Sequence, residues 1–153
     1  TNMGDLKDYI HLEVTESVIM ADSNLIKQRL QSLRDLGIKL SIDDFGTGYS
    51  SLSYLHTFPL EILKIDREFI STMIEDSKVE RLVATIIGLA QDLGLKTVAE
   101  GIETDEQMTL LQHLKCDYGQ GYLFSRPMTK EDATKFLQSH AEFAIVGKSL
   151  IGS

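Results

Sequence analysis

Residues 60–103 read LEILKIDREFISTMIEDSKVERLVATIIGLAQDLGLKTVAEGIE and hold one complete strand–helix–strand unit. Leu60 to Ile65 is a short run rich in β-branched and aliphatic residues. Val79, Leu82, Val83, Ile86, Ala90 and Leu93 then recur at helical period, opened by the capping box Ser77-x-x-Glu80 and closed by Gly94. Lys96 to Ala99 is the next short run. Two strands joined through a crossover helix run parallel in one sheet. Outward from this unit the alternation repeats. Candidate strands are Ile10 to Thr15 and Ile38 to Asp43 on one side and the less sharply marked Cys116 to Leu123 on the other. Asn24 to Leu36 carries an Ile26, Leu30, Leu33 stripe between an Asp22/Ser23 cap and the stop Gly37. Thr104-x-x-Gln107 opens another helix, and Thr129 after Pro127 opens one running to about His140. The fold class is therefore α/β with about five βα units and a parallel sheet. A closed (β/α)8 barrel usually takes about 250 residues, so the chain is either a small open sheet or part of a barrel, and periodicity leaves both open.

Composition narrows the function classes. The chain has 153 residues, 42% hydrophobic content, a formal net charge of -8, one cysteine and no tryptophan, which suits one globular domain and not two. An acidic surface is not drawn to DNA, RNA or an anionic membrane, so a phosphate ligand needs a metal or local cations. Cys116 has no partner for a disulfide or a thiolate metal site, which fits a reducing cytoplasm. The longest apolar stretches, Val83 to Ala90 and Phe143 to Val146, fall far short of the roughly 20 residues that span a bilayer. TNMGDLKD at the start lacks the form of a signal peptide. No membrane contact is expected of this segment, although a parent chain could be membrane-anchored. Residues 1–140 read as the domain and 141–153, ending GKSLIGS, as a frayed C-terminal tail.

The ends of the strands carry the chemistry. Glu13 and Glu16 lie in HLEVTES, Asp43 and Asp44 in LSIDDFGTGYSS, and Glu100 and Glu103 in TVAEGIE. In a parallel α/β protein the C-terminal strand ends share one face, where ligand sites form, so separate strands bring carboxylates to one place. Clustered carboxylates raise one another's pKa unless a cation sits among them, and oxygen-only donors select hard divalent ions. Lys64 alternates with Ile62 and Asp66, which sends its ammonium to the same rim, toward a phosphate or a metal-bound water. Taken singly, each acidic residue would serve as a helix cap or a solvated loop group, and Lys64 as half of a structural ion pair. Gly46-x-Gly48 suits a flexible turn better than a dinucleotide loop, since Ser51 stands in place of a third glycine. His11, His56, His113 and His140 show no ligand spacing. Gly119-Gln120-Gly121 reads by itself as a bulge.

Together LEVTES, DDFGTGYSSL, LKID, VAEGIE and CDYGQGYLFSRP, in this order, closely resemble the EAL-domain family of cyclic di-GMP phosphodiesterases over about residues 10 to 140. The resemblance implies a TIM-like (β/α)8 barrel that hydrolyses cyclic di-GMP to linear pGpG with two Mg2+ or Mn2+ ions. It implies metal binding by Glu13, Asp43, Asp44 and Glu100, with catalytic roles for Lys64 on the attacking water, for Glu100 and for Gln120. Glu16 would hold the loop Phe45 to Ser51, which in the family links the metal site to dimerisation, with Tyr54 and Leu55 as candidate contacts. The family's E-A/V-L triplet and an upstream asparagine ligand are not in this sequence, and Asn2 lies too near LEVTES to replace the latter. The resemblance therefore implies a C-terminal portion of the domain, strands four to eight, a partial barrel with little hydrolysis on its own. Its two sheet edges, at residues 10–15 and 118–124, favour a homo-oligomer. Sensory or cyclase domains in the parent chain are compatible with it. The alternative function is a non-catalytic cyclic di-GMP-binding or protein-interaction module.

Overall fold

Strand β1 spans His11–Thr15, β2 Lys39–Phe45, β3 Ile62–Ile65, β4 Lys96–Ala99 and β5 Tyr118–Gly119 in a computed structural model that describes residues 10–20, 24–46, 55–139 and 148–149. The Asp22/Ser23 cap, most of the 45–51 loop, Tyr54, His140 and the 143–146 run lie outside the described residues. Each strand pairs in parallel with the next in chain order, β1-β2-β3-β4-β5. A doubly wound open sheet reverses its order at a switch point, whereas unbroken sequential order is the winding of a (β/α)8 barrel, so the sheet is an arc of that kind. Lys148–Ser149, in the stretch read as a frayed tail, forms β6 and pairs antiparallel with β5. The β5 edge, expected open, therefore carries a strand.

Six helices accompany the described strands: α1 Glu16–Met20, α2 Asn24–Asp35, α3 Arg67–Thr72, α4 Ser77–Asp92, α5 Asp105–His113 and α6 Lys130–Ser139. The short α1 and α3 were not apparent from periodicity, since neither reaches two turns. α3 is announced by Asp66, whose side chain accepts a hydrogen bond from the Glu68 amide at 2.7 Å. α4 is capped by Asp76 and not through the Ser77 box: the Asp76 carboxylate accepts from the Lys78 amide, and Ser77 is already helical. Leu82, placed on the apolar stripe, is 42% exposed, and Ile87 is buried in its stead. Thr104 and Gln107 form the expected capping box in full. None of the helices is long and apolar enough to cross a membrane.

Three of the helix-to-strand joints share one construction. Gly37 (φ 84), Gly94 (φ 71) and Lys115 (φ 63) each take a left-handed conformation just past a helix. The next amide, of Ile38, Leu95 and Cys116, reaches back to the carbonyl of Leu33, Ala90 and Leu111. This is the Schellman ending, which satisfies carbonyls that the helix leaves unpaired and turns the chain into the following strand. At Lys115 it is built without glycine.

The parallel register sorts side chains by parity. Leu40, Ile42, Leu63, Ile65, Thr97 and Ala99 fall on one face, are essentially unexposed, and all but Thr97 join Val83, Ile86, Ile87 and Ala90 of α4 in the core. Ser41, Asp43, Ile62, Lys64 and Val98 fall on the other. β2 contains a bulge: Ile42 pairs with Leu63 and Phe45 with Ile65, so Asp43 and Asp44 together oppose Lys64. Without the extra residue Phe45 would share the Asp43 face; with it, Phe45 returns to the core at 3% exposure. Leu55, suggested as a dimer contact, is likewise a core residue, 5% exposed. The fifth strand is shorter than the 116–123 run because the chain turns onto the loop after β4. The Ile102 amide donates to the Gln120 carbonyl, the Leu123 amide donates to that of Ile102, and a Cβ on Gly121 would collide with the Ile102 backbone.

Candidate active site

Lys64 stands at the centre of the site. β3 carries it on the face opposite the helices, and its residue is 8% exposed. Its Nζ lies 2.6 Å from Glu13 Oε1 of β1, 3.0 Å from Asp43 Oδ1 of β2 and 2.8 Å from Glu100 Oε1, just past β4. The ammonium donates a hydrogen bond to Glu13, whereas Asp43 Oδ1 lies off the hydrogen-bonding direction and is a buried acceptor with no hydrogen bond. Burial pulls the lysine's pKa down, but its carboxylate neighbours Glu100, Glu13 and Asp43 together outweigh it and raise the pKa, so the group stays an ammonium. Glu100 is also raised, by burial first, and Lys64 only partly reverses this.

Asp44 is the exception among the predicted metal residues. The bulge gives it a left-handed φ of 55° and turns it, exposed, toward Asp66. Its pKa is raised first by the charge of Asp43, then by burial and by Asp66. Among the described residues no three His, Cys, Asp or Glu side chains are set around one ion-sized point. The point where three carboxylates do come together is filled by Lys64.

Glu16, at the start of α1, is 6% exposed and its Oε2 accepts a hydrogen bond from the Gly46 amide at 3.1 Å, which ties the end of β2 to α1. Gly46 has φ 96°, a conformation that strains any side chain, and a Cβ there would also press on the Phe69 ring at 3.1 Å. A cleft of about 650 Å³ opens beside Glu100, walled by Asp66, Arg67, Glu68, Glu103, Gln120 and Tyr122 among others. Gln120 is exposed and lines this cleft together with Glu100, while its backbone is fastened by hydrogen bonds to Ala99 and Ile102. The Arg126 guanidinium sits 4.8 Å over the Tyr122 ring.

A second polar cluster, missed in the sequence, lies at the opposite end of β4. Asp117, 8% exposed, accepts from Lys96 Nζ at 2.6 Å, from the Thr97 amide at 3.0 Å and from Thr97 Oγ1 at 3.1 Å. Burial raises its pKa, but these donors prevail and lower it. The only signal was an acid at the start of one strand and Lys-Thr at the start of its neighbour. At the N-terminal face of a barrel such a group serves stability.

Comparison with known proteins bears on the site as a whole. The EAL domain profile matches residues 2–127. Over 132 residues the chain is 46% identical to the cyclic di-GMP phosphodiesterase NbdA of Pseudomonas aeruginosa, covering 86% of this chain and 17% of NbdA. The PaMucR phosphodiesterase, solved in complex with c-di-GMP, superposes with a TM-score of 0.79 at 46% identity, over 83% of this chain and 51% of that one. The manganese/cy-diGMP complex of BlrP1 from Klebsiella pneumoniae superposes at 0.73 with 39% identity, over 79% of this chain and 31% of that one. The chain thus spans less than a fifth of NbdA and about half of the PaMucR structure. The five motifs, the sequentially wound parallel sheet and the carboxylate-ringed lysine at its C-terminal face have one explanation: the chain belongs to the EAL-domain family.

Proposed function

We propose that the chain is part of a metal-dependent phosphodiesterase that hydrolyses cyclic di-GMP to linear pGpG. The reading rests on the Lys64 ammonium held by carboxylates from β1, β2 and the end of β4, in a chain 46% identical to NbdA over 86% of its length. Glu13, Asp43, Asp44 and Glu100 offer oxygen alone, the donor set of Mg2+ or Mn2+, and the buried Asp43 Oδ1 has the Lys64 ammonium at 3.0 Å without a well-aligned hydrogen bond. These four would hold the metal. Bound there, a pair of ions would neutralise the phosphodiester and supply a nucleophile near neutral pH.

The chain's own groups do the rest. Lys64, a donor whose carboxylate partners fix its direction, orients the attacking water by hydrogen bonding. Glu100 holds the ammonium from the cleft side, and Gln120 offers an amide at the rim to the nucleotide. Glu16 fastens Gly46 and with it the start of the 45–51 loop. The same reading places the protein in the cytoplasm as a homo-oligomer, with sensory or cyclase domains elsewhere in the polypeptide. Incubation of the full-length protein with cyclic di-GMP and Mg2+ or Mn2+ should give pGpG, resolved by chromatography. Binding without pGpG would make it a receiver, and no binding would overturn the reading.

A further inference from the structure

The cleft beside Glu100 is electrostatically hostile to a phosphodiester. Among the described residues its lining includes four acidic residues, Asp66, Glu68, Glu100 and Glu103, and one basic residue, Arg67. Lys64 is no free counter-charge, because its ammonium already faces Glu13, Asp43 and Glu100 within 3.0 Å. Arg67 is in the opposite condition. Its side chain is exposed on the cleft wall, and among the described residues it makes no ion pair or hydrogen bond despite its acidic neighbours. Its root is held in place: Gly101, at φ 73°, packs so closely that a Cβ there would collide with Arg67 Cβ. A guanidinium anchored at its base, unpaired at its tip and carried on the wall of a cleft is suited to an anionic, fork-shaped acceptor.

We infer that Arg67 is a substrate-binding residue whose guanidinium receives a phosphodiester oxygen of the cyclic dinucleotide in the cleft next to Glu100. The inference rests on the phosphodiesterase reading and adds to it the group that draws the anion past four carboxylates. Arg67 stands outside the ring around Lys64, so it grips substrate and transition state alike. Its loss therefore falls on binding and not on the chemical step.

Steady-state hydrolysis of cyclic di-GMP by the full-length protein tests this with Arg67→Ala and Arg67→Lys. Arg67→Ala should raise KM about tenfold while kcat stays within about twofold, and the salt dependence of kcat/KM should become shallower. Arg67→Lys should recover part of the loss, since it keeps the charge without the fork. An unaltered thermal midpoint in both variants would exclude a folding defect. If the parent protein turns over and Arg67→Ala leaves KM and the salt dependence unchanged, the inference fails while the phosphodiesterase reading stands. If kcat falls with KM unchanged, Arg67 acts in the chemistry and the binding role is wrong. If the parent neither binds nor hydrolyses the nucleotide, both readings fall together.

Discussion

Lys64 and Asp117 are each buried polar side chains ringed by partners, yet they call for different tests. Removing the ammonium with Lys64→Met should lower kcat by about 100-fold while KM changes less than about threefold, as expected for a group that orients the nucleophile. Asp43→Asn should weaken Mn2+ binding measured by calorimetry; unchanged affinity would remove Asp43 from the metal site. Asp117 belongs to stability. Its pKa is lowered on folding, so its contribution is complete above the unfolded value of about 3.9 and is lost as pH falls through the lower folded value. Asp117→Asn should therefore cost about 2 kcal/mol by urea unfolding at pH 7, and the gap to the parent should shrink below about pH 4. The meeting of Glu13, Asp43, Glu100 and Lys64 was legible because strand parity and the polarity of parallel sheets dictate it. The divergence of Asp44 was not, because a bulge is a property of two strands in register and leaves no mark on one of them.

At the scale of elements, turn chemistry was the most readable feature and short elements the least. Gly37, Gly94 and the Thr104–Gln107 box end and begin helices as their residue types require. α1 and α3 have too few residues to display a period, and β5 shrank because a backbone approach between Gly121 and Ile102 lies far apart in sequence. Two positions depart from what their backbones favour and can be improved. Lys115→Gly relieves a left-handed conformation at a Schellman joint and should stabilise by about 1 kcal/mol, roughly 2–4 °C in thermal midpoint. Gly88 lies within α4 with open space where a Cβ would stand, so Gly88→Ala should add about 0.5–1 kcal/mol. The sites share no partner, and the double variant should show the sum.

The whole molecule is covered unevenly. Val98, Ala99, Ile102 and Leu111, in and after β4 and in α5, are buried, whereas Ile10, Leu12, Val18, Leu25 and Leu36 are exposed at the β1 end, Leu36 to 65%. Among the described residues no strand lies beyond β1. An uncovered edge with apolar neighbours favours association, so sedimentation of the 153-residue chain at micromolar concentration should depend on concentration, and Leu12→Lys should weaken that dependence. The lysine cluster ties this arc together along the chain as well as in space. Glu13 is 51 residues from Lys64, and the other partners, Asp43 on β2 and Glu100 just past the end of β4, come from either side of β3. A lysine stripped of water gains its compensation only once β1, β2 and β4 are all in place, which predicts a cluster that matures after the folding barrier has been crossed. In stopped-flow measurements Lys64→Met should speed unfolding and leave refolding almost untouched, a φ-value near zero. The residue that arranges the nucleophile would then also govern how long each molecule stays native before it opens.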